Sequence, residues 1–154
     1  MSNYREKLLP GPIVFVFTAL VIPASLLVFL PINPIVGPFV AAVLYGAVVI
    51  LLVLGSPRIE VTDELLIAGR ARLPLVNVGE TRGFLGAEAT QERGPRLDAR
   101  AWLVIRGWIQ PVVKITLDDP TDPTPYWLVS TRHPSDLIAA LASAKAKANA
   151  PSTS

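Results

Sequence analysis

Between Leu8 and Pro57 the chain carries no Asp, Glu, Lys, Arg or His. A chain of 154 residues cannot cover so long an apolar stretch with its own remainder, because small domains bury only part of their surface. Charged residues make up 17% of the whole, against about 25% in soluble domains, and the deficit is confined to this stretch. A membrane segment followed by a water-soluble one, divided near residue 57, is therefore expected.

Two apolar runs lie inside the stretch, at about 12–30 and 35–54. At about 1.5 Å per helical residue, each is long enough to span a hydrocarbon core about 30 Å thick. Pro31-Ile32-Asn33-Pro34 separates them, and two prolines so close disfavour helix and reverse the chain. Pro23 predicts a kink in the first span, whereas Pro38 falls in the first turn of the second, where proline is tolerated. A cleaved leader is not expected, since the run continues past Ala24-Ser25 without A-x-A spacing. The second span carries Gly37, Ala41, Ala42 and Gly46, a small-xxx-small pattern that lets helices approach closely. It serves either packing against the first span or a dimerisation face. Arg5 and Lys7 precede the spans, Arg58, Arg70 and Arg72 follow them, and the connecting loop has no basic residue. The positive-inside rule then puts both termini in the cytoplasm, making a multi-pass protein of the plasma (inner) membrane. With no charge inside the spans, an ion pathway is not expected.

After Arg58 the pattern changes to short alternating runs. Arg58–Thr62, Leu65–Ile67, Arg70–Val76, Ala101–Arg106, Val112–Leu117 and Tyr126–Thr131 read as strands. Asp63-Glu64 and Ala68-Gly69 read as turns between them, with Gly69 suited to positive φ. The stretch 80–100 is broken by Gly83, Gly86, Gly94 and Pro95, with a short helix at Ala87–Glu92. Pro134 opens a final helix, striped by Leu137, Ile138 and Leu141. The order of two spans, several antiparallel strands and one closing helix resembles bacterial PH-like domains that follow a pair of membrane helices. The expected architecture is an α+β membrane protein in three parts: a transmembrane hairpin over 1–57, a small antiparallel, PH-like domain over 58–144, and a disordered tail over 145–154.

Tyr4-Arg5-Glu6, Val61-Thr62-Asp63, Ala68–Pro74 and above all Asp119–Arg132 carry a closer likeness. Through them the chain resembles the actinobacterial two-helix membrane proteins of domain-of-unknown-function family 3093 (DUF3093) over about residues 4–142. That resemblance implies a membrane location and no catalytic residues.

Chemistry-bearing groups are few. The chain has no cysteine and a single histidine, which excludes thiolate chemistry and a multi-histidine metal site within one chain. Basic and acidic residues are interleaved, so a nucleic-acid partner is not expected. Asp118, Asp119 and Asp122 cluster among prolines and read first as a rigid turn, second as an oxygen-rich cation site. His133 lies near Ser130, Thr131 and Asp136, but no nucleophile elbow, P-loop or dinucleotide fingerprint occurs. Trp102, Trp108, Tyr126 and Trp127 form an aromatic group, and Trp108 is the candidate for a headgroup-level anchor. Arg70, Arg72, Arg106 and Arg132, with Trp108, are candidate contacts for anionic lipid or a partner. The expected function is a cytoplasm-facing, membrane-anchored interaction domain, without cofactor or metal, binding a protein partner or anionic lipid. A structural subunit of an envelope complex, or a homodimer through the small-residue face, is the alternative, and a membrane-bound enzyme the third.

Overall fold

A computed structural model of the chain describes residues 3–149. The fold divides into two compact units, one of them Leu9–Ser56, the other joining the residues before Leu9 to those from Pro57 onward. The expected boundary thus shifts at its N-terminal side. Tyr4–Lys7 is a strand, β1, and belongs with the sheets, not with the hairpin after it.

Within Leu9–Ser56, helices α1 (Pro12–Thr18) and α2 (Val21–Phe29) make up the first apolar segment, and α3 (Val36–Leu54) the second. Both segments are long and apolar enough to cross a membrane. The expected kink is a break at Ala19-Leu20. Pro23 has no N–H for the carbonyl four residues back, and Ala19 instead accepts from the N–H of Ile22 at 2.9 Å. At the reversal, Asn33 Oδ1 accepts from the N–H groups of Ile35 and Val36, at 2.9 and 3.3 Å, satisfying orphan donors at the start of α3. The buried residues of these helices are Ser25, Gly37 and Ala41, all small, as close helix approach requires.

The other unit holds two four-stranded sheets. In the first, β1, β2 (Arg58–Val61), β3 (Leu65–Ala68) and β4 (Ala71–Pro74) pair antiparallel in chain order. Thr62 closes the β2–β3 turn: its Oγ1 accepts from the N–H of Leu65 at 3.0 Å. Gly69, at φ 66°, turns β3 into β4. The expected Arg70–Val76 strand stops at Pro74, because Leu75–Asn77 winds into a 3-10 turn that buries Leu75.

The second sheet comprises β5 (Val78–Phe84), β6 (Trp102–Val104), β7 (Val112–Leu117) and β8 (Tyr126–Ser130), in the order β5-β7-β8-β6. It is not wholly antiparallel, as β6 runs parallel to β8. Helix α4 (Gly86–Arg93) lies between β5 and β6 in the chain, and α5 (Pro134–Asn149) closes the fold. The tail expected from 145 is therefore helical as far as Asn149. Ala144 is fully buried and the Lys145 ammonium donates to the carbonyl of Val78. The remainder of that expected tail lies outside the described residues.

Residues from both sheets and α5 form one core, including Ile59, Leu66, Ile115, Trp127, Leu137 and Leu141. A smaller cluster of Phe84, Ala89, Val112, Tyr126 and Leu128 packs α4 against the second sheet. Side chains alternate across a strand, so β8 sends Trp127 and Val129 to the first cluster and Tyr126 and Leu128 to the second. Those four residues are buried for that reason, and the fifth, Ser130, is buried with its Oγ accepting from the N–H of Arg106 at 3.1 Å.

Candidate functional site

The strands leading into and out of the apolar segment are paired. Lys7 of β1 lies opposite Arg58 of β2, and just beyond them the Leu8 N–H donates to the Pro57 carbonyl at 3.0 Å. The Arg58 carbonyl accepts from the N–H of Gly69 at 2.8 Å, which brings the β3–β4 turn and Arg70 alongside. Trp108, half-buried, donates its indole N–H to the Leu8 carbonyl at 3.3 Å. One end of the first sheet thus gathers three exposed cations, Lys7, Arg58 and Arg70, around the two points where the chain departs for the hairpin. No ion pair among the described residues uses any of them.

Of the expected contact residues, Arg70 and Trp108 fall at this end. Arg72 is exposed along β4, opposite Ile67. Arg106 donates its backbone N–H to Ser130 Oγ at 3.1 Å and a guanidinium N–H to the Ile105 carbonyl at 3.0 Å. Arg132 is drawn to Glu6, with its backbone N–H 3.0 Å and its guanidinium 3.7 Å from Oε1. In the sequence, Lys7 and Arg58 signal orientation alone. Arg58 joins Arg70 through the β2–β3–β4 pairing, but Lys7 joins them only because β1 is a strand, which four residues with no inward aliphatic side chain do not announce.

Glu6 is the centre of a second cluster. Its Oε2 accepts from the hydroxyls of Tyr4, at 2.7 Å, and Thr131, at 2.5 Å, while Thr131 Oγ1 also accepts from the N–H of His133 at 3.1 Å. Burial pushes the Tyr4 phenol well above its usual range, and the bond to Glu6 acts in the same direction. The cluster ties the edge strand of the first sheet to the start of α5. The hydroxyls near His133 are thereby engaged within the fold, and the His133 ring lies 3.9 Å from Asp136.

A third cluster sits where α4 meets β5 and β7, beside a cleft of about 270 Å³. Arg82 and Lys114 are directly opposite on these strands, a pairing of like charges that destabilises a sheet unless neutralised. The Glu92 carboxylate, 6% exposed, supplies the counter-charge, 3.0 Å from Lys114 Nζ and 3.6 Å from Arg96. Lys114 Nζ also lies 4.2 Å from the centre of the Tyr126 ring, a favourable cation–π distance.

The aspartates of the β7–β8 loop brace its backbone. Asp119 Oδ1 accepts from the N–H and hydroxyl of Thr121, at 2.9 and 2.6 Å. Those bonds hold its carboxyl below the usual carboxylate range. Asp122 Oδ1 accepts from the N–H of Thr124 at 2.8 Å. Within the hairpin, a Cβ on Gly37 would lie 3.3 Å from Leu30, whereas one on Gly46 would meet nothing within 4 Å. Gly37 and Ala41 are buried; Ala42 is exposed.

Comparison with known proteins adds a family but no activity. The family model described as a protein of unknown function, DUF3093, matches residues 3–141. No curated protein matches the chain, and no solved structure matches it.

Proposed function

The chain belongs to the DUF3093 family, and on that footing we propose that it is a membrane-anchored interaction module of the plasma (inner) membrane. The hairpin crosses the bilayer twice and the sheet unit, a PH-like domain, works at the cytoplasmic face. There it binds anionic lipid or a protein partner.

The pairing of β1 with β2 carries this reading. Because Lys7 and Arg58 are register partners, both ends of the apolar segment are held within one sheet, and a segment so closed crosses a bilayer an even number of times. Ile13, Phe17, Leu27, Phe39 and Leu51 are exposed on its helices, which suits side chains solvated by lipid and not by water. Basic residues before and after the segment favour the cytoplasmic side for both ends. Two sheets closed by a C-terminal helix support the PH-like assignment.

A second reading, a structural subunit of an envelope complex, draws on the small residues. Gly37 and Ala41 pack inside the hairpin, but exposed Ala42 and open Gly46 leave a face suited to another helix.

The absence of cysteine makes the topology directly testable. Ile32→Cys, in the turn between the spans and 75% exposed, should react with an impermeant maleimide in intact cells. The protein should also stay in the membrane pellet at alkaline pH. Labelling only after lysis overturns the orientation; release from the pellet overturns the anchoring.

A further inference from the structure

We propose that the hairpin-side end of the first sheet is an anionic phospholipid headgroup site, built by Lys7, Arg58 and Arg70 with Trp108 as its interfacial anchor. The inference rests on the membrane-anchored reading and deepens it by naming the ligand and the residues.

The placement comes from chain length and pairing. Arg58 is four residues beyond Leu54, the last residue of α3, so at most about 14 Å of chain separates it from the end of the span. The headgroup layer occupies roughly 5–8 Å on each side of the hydrocarbon core, and Arg and Lys side chains extend along such boundaries with their charges in the polar layer. Lys7 is held opposite Arg58, and Arg70 comes directly after the turn glycine whose N–H is bonded to the Arg58 carbonyl. Three cations are therefore fixed together at the one end of the sheet that the hairpin tethers near the bilayer. All are exposed and uncommitted to carboxylates among the described residues.

Trp108 is the independent observation. Its indole N–H bonds to the carbonyl of Leu8, the last residue of the sheet unit before the hairpin, and indoles favour the headgroup level. Arg132 and Arg72 are outside the site, the first bound to Glu6, the second further along β4. Each cation near an anionic surface contributes about a fivefold factor to headgroup association, so three together give strong local enrichment.

The test uses the full-length protein reconstituted in vesicles of equal parts phosphatidylcholine and phosphatidylglycerol, with either lipid brominated in its acyl chains. Tryptophan quenching should be at least about twofold greater when phosphatidylglycerol carries the bromine, and Trp108→Phe should remove that excess. Lys7→Gln/Arg58→Gln/Arg70→Gln should bring the two quenching values together, as should 1 M salt. Arg70→Gln alone should reduce the excess should the triple variant fold poorly, and Arg132→Gln should preserve it. Equal quenching by the two lipids in a protein that stays in the membrane pellet overturns the site and leaves the anchor standing. An excess that survives the triple substitution assigns it to the protein's overall field and also overturns the site. Release from the pellet is failure of the anchor itself.

Discussion

The hydroxyl of Thr131 donates a 2.5 Å hydrogen bond to the carboxylate of Glu6, 125 residues earlier in the chain. Tyr4 and the Arg132 backbone N–H meet the same carboxylate. One side chain thus joins β1, the strand before the hairpin, to the junction of β8 and α5. A substitution there acts on the seam between two sheets, although Glu6 lies near the N-terminus.

Glu6→Ala should accordingly destabilise the protein by about 2 kcal/mol or more, since hydrogen bonds to a charged group contribute about 1.5–3 kcal/mol and the deletion strands several donors. Glu6→Gln, which keeps an acceptor, should cost less. Denaturant unfolding in detergent micelles, tracked by circular dichroism, measures both. Equal stability of Glu6→Ala and the parent would show that the seam contributes nothing.

Tyr4 predicts an alkaline limit. Its phenol is held well above its usual value near 10, so above pH 10 the unfolded chain loses a proton that the folded one retains. Stability contributed by Tyr4 is present below pH 10 and falls as pH rises beyond it. The stability difference between the parent and Tyr4→Phe should be constant from pH 7 to 9 and shift against the parent above 10. A pH-independent difference through pH 11 counts against the raised phenol.

Glu92 and Lys114 should respond unequally to loss of their partners. Lys114→Ala leaves a nearly buried carboxylate whose remaining ion pair among the described residues is with Arg96 at 3.6 Å, and removing one partner of such a pair costs about 3 kcal/mol. Arg96, whose side chain is 62% exposed, should matter by less than about 1 kcal/mol when changed to Ala. Unfolding midpoints of the two variants in the same micelles make the comparison, and equal effects would contradict the burial argument.

The hairpin offers a paired test of small-residue packing. Gly37→Leu must displace Leu30, whose backbone N and Cδ1 would both lie 3.3 Å from the new Cβ. Gly46→Leu points a side chain into open space. Resistance to unfolding in dodecyl sulfate should fall for the first and hold for the second. If the Gly46 variant retains its fold but loses a crosslinked dimer, the outward face is a contact between copies.

Legibility in the sequence varies with the element. Val112–Leu117 and Tyr126–Ser130 are strong β-formers with apolar side chains on both faces, and α5 declares itself by Pro134 and the Leu137/Leu141 stripe. Strand β5 is hidden because it holds two glycines, Gly79 and Gly83, the second of which reads as a breaker. In the fold they are close-approach positions: a Cβ at 79 would sit 2.6 Å from Thr116 Oγ1, and one at 83 would sit 3.3 Å from Ile138. The parallel pairing of β6 is likewise invisible, since the strand's residues state its propensity but not its neighbour. The short helix carrying Glu92 is expected from the sequence, but its grouping with Lys114 and Arg82 depends on β5, so the cluster is concealed with that strand.

The amino-acid order alone determined the long uncharged segment, its division at Pro31–Pro34 and the α+β character of the chain beyond it. These depend on hydropathy and local backbone preference, which act over a few neighbouring residues. Tertiary structure decided that Tyr4–Lys7 is a strand, and with it which cations share one end of a sheet. That outcome turns on β2, which supplies hydrogen bonds to β1 from across the whole hairpin, and such a partner leaves no mark in the four residues it orders.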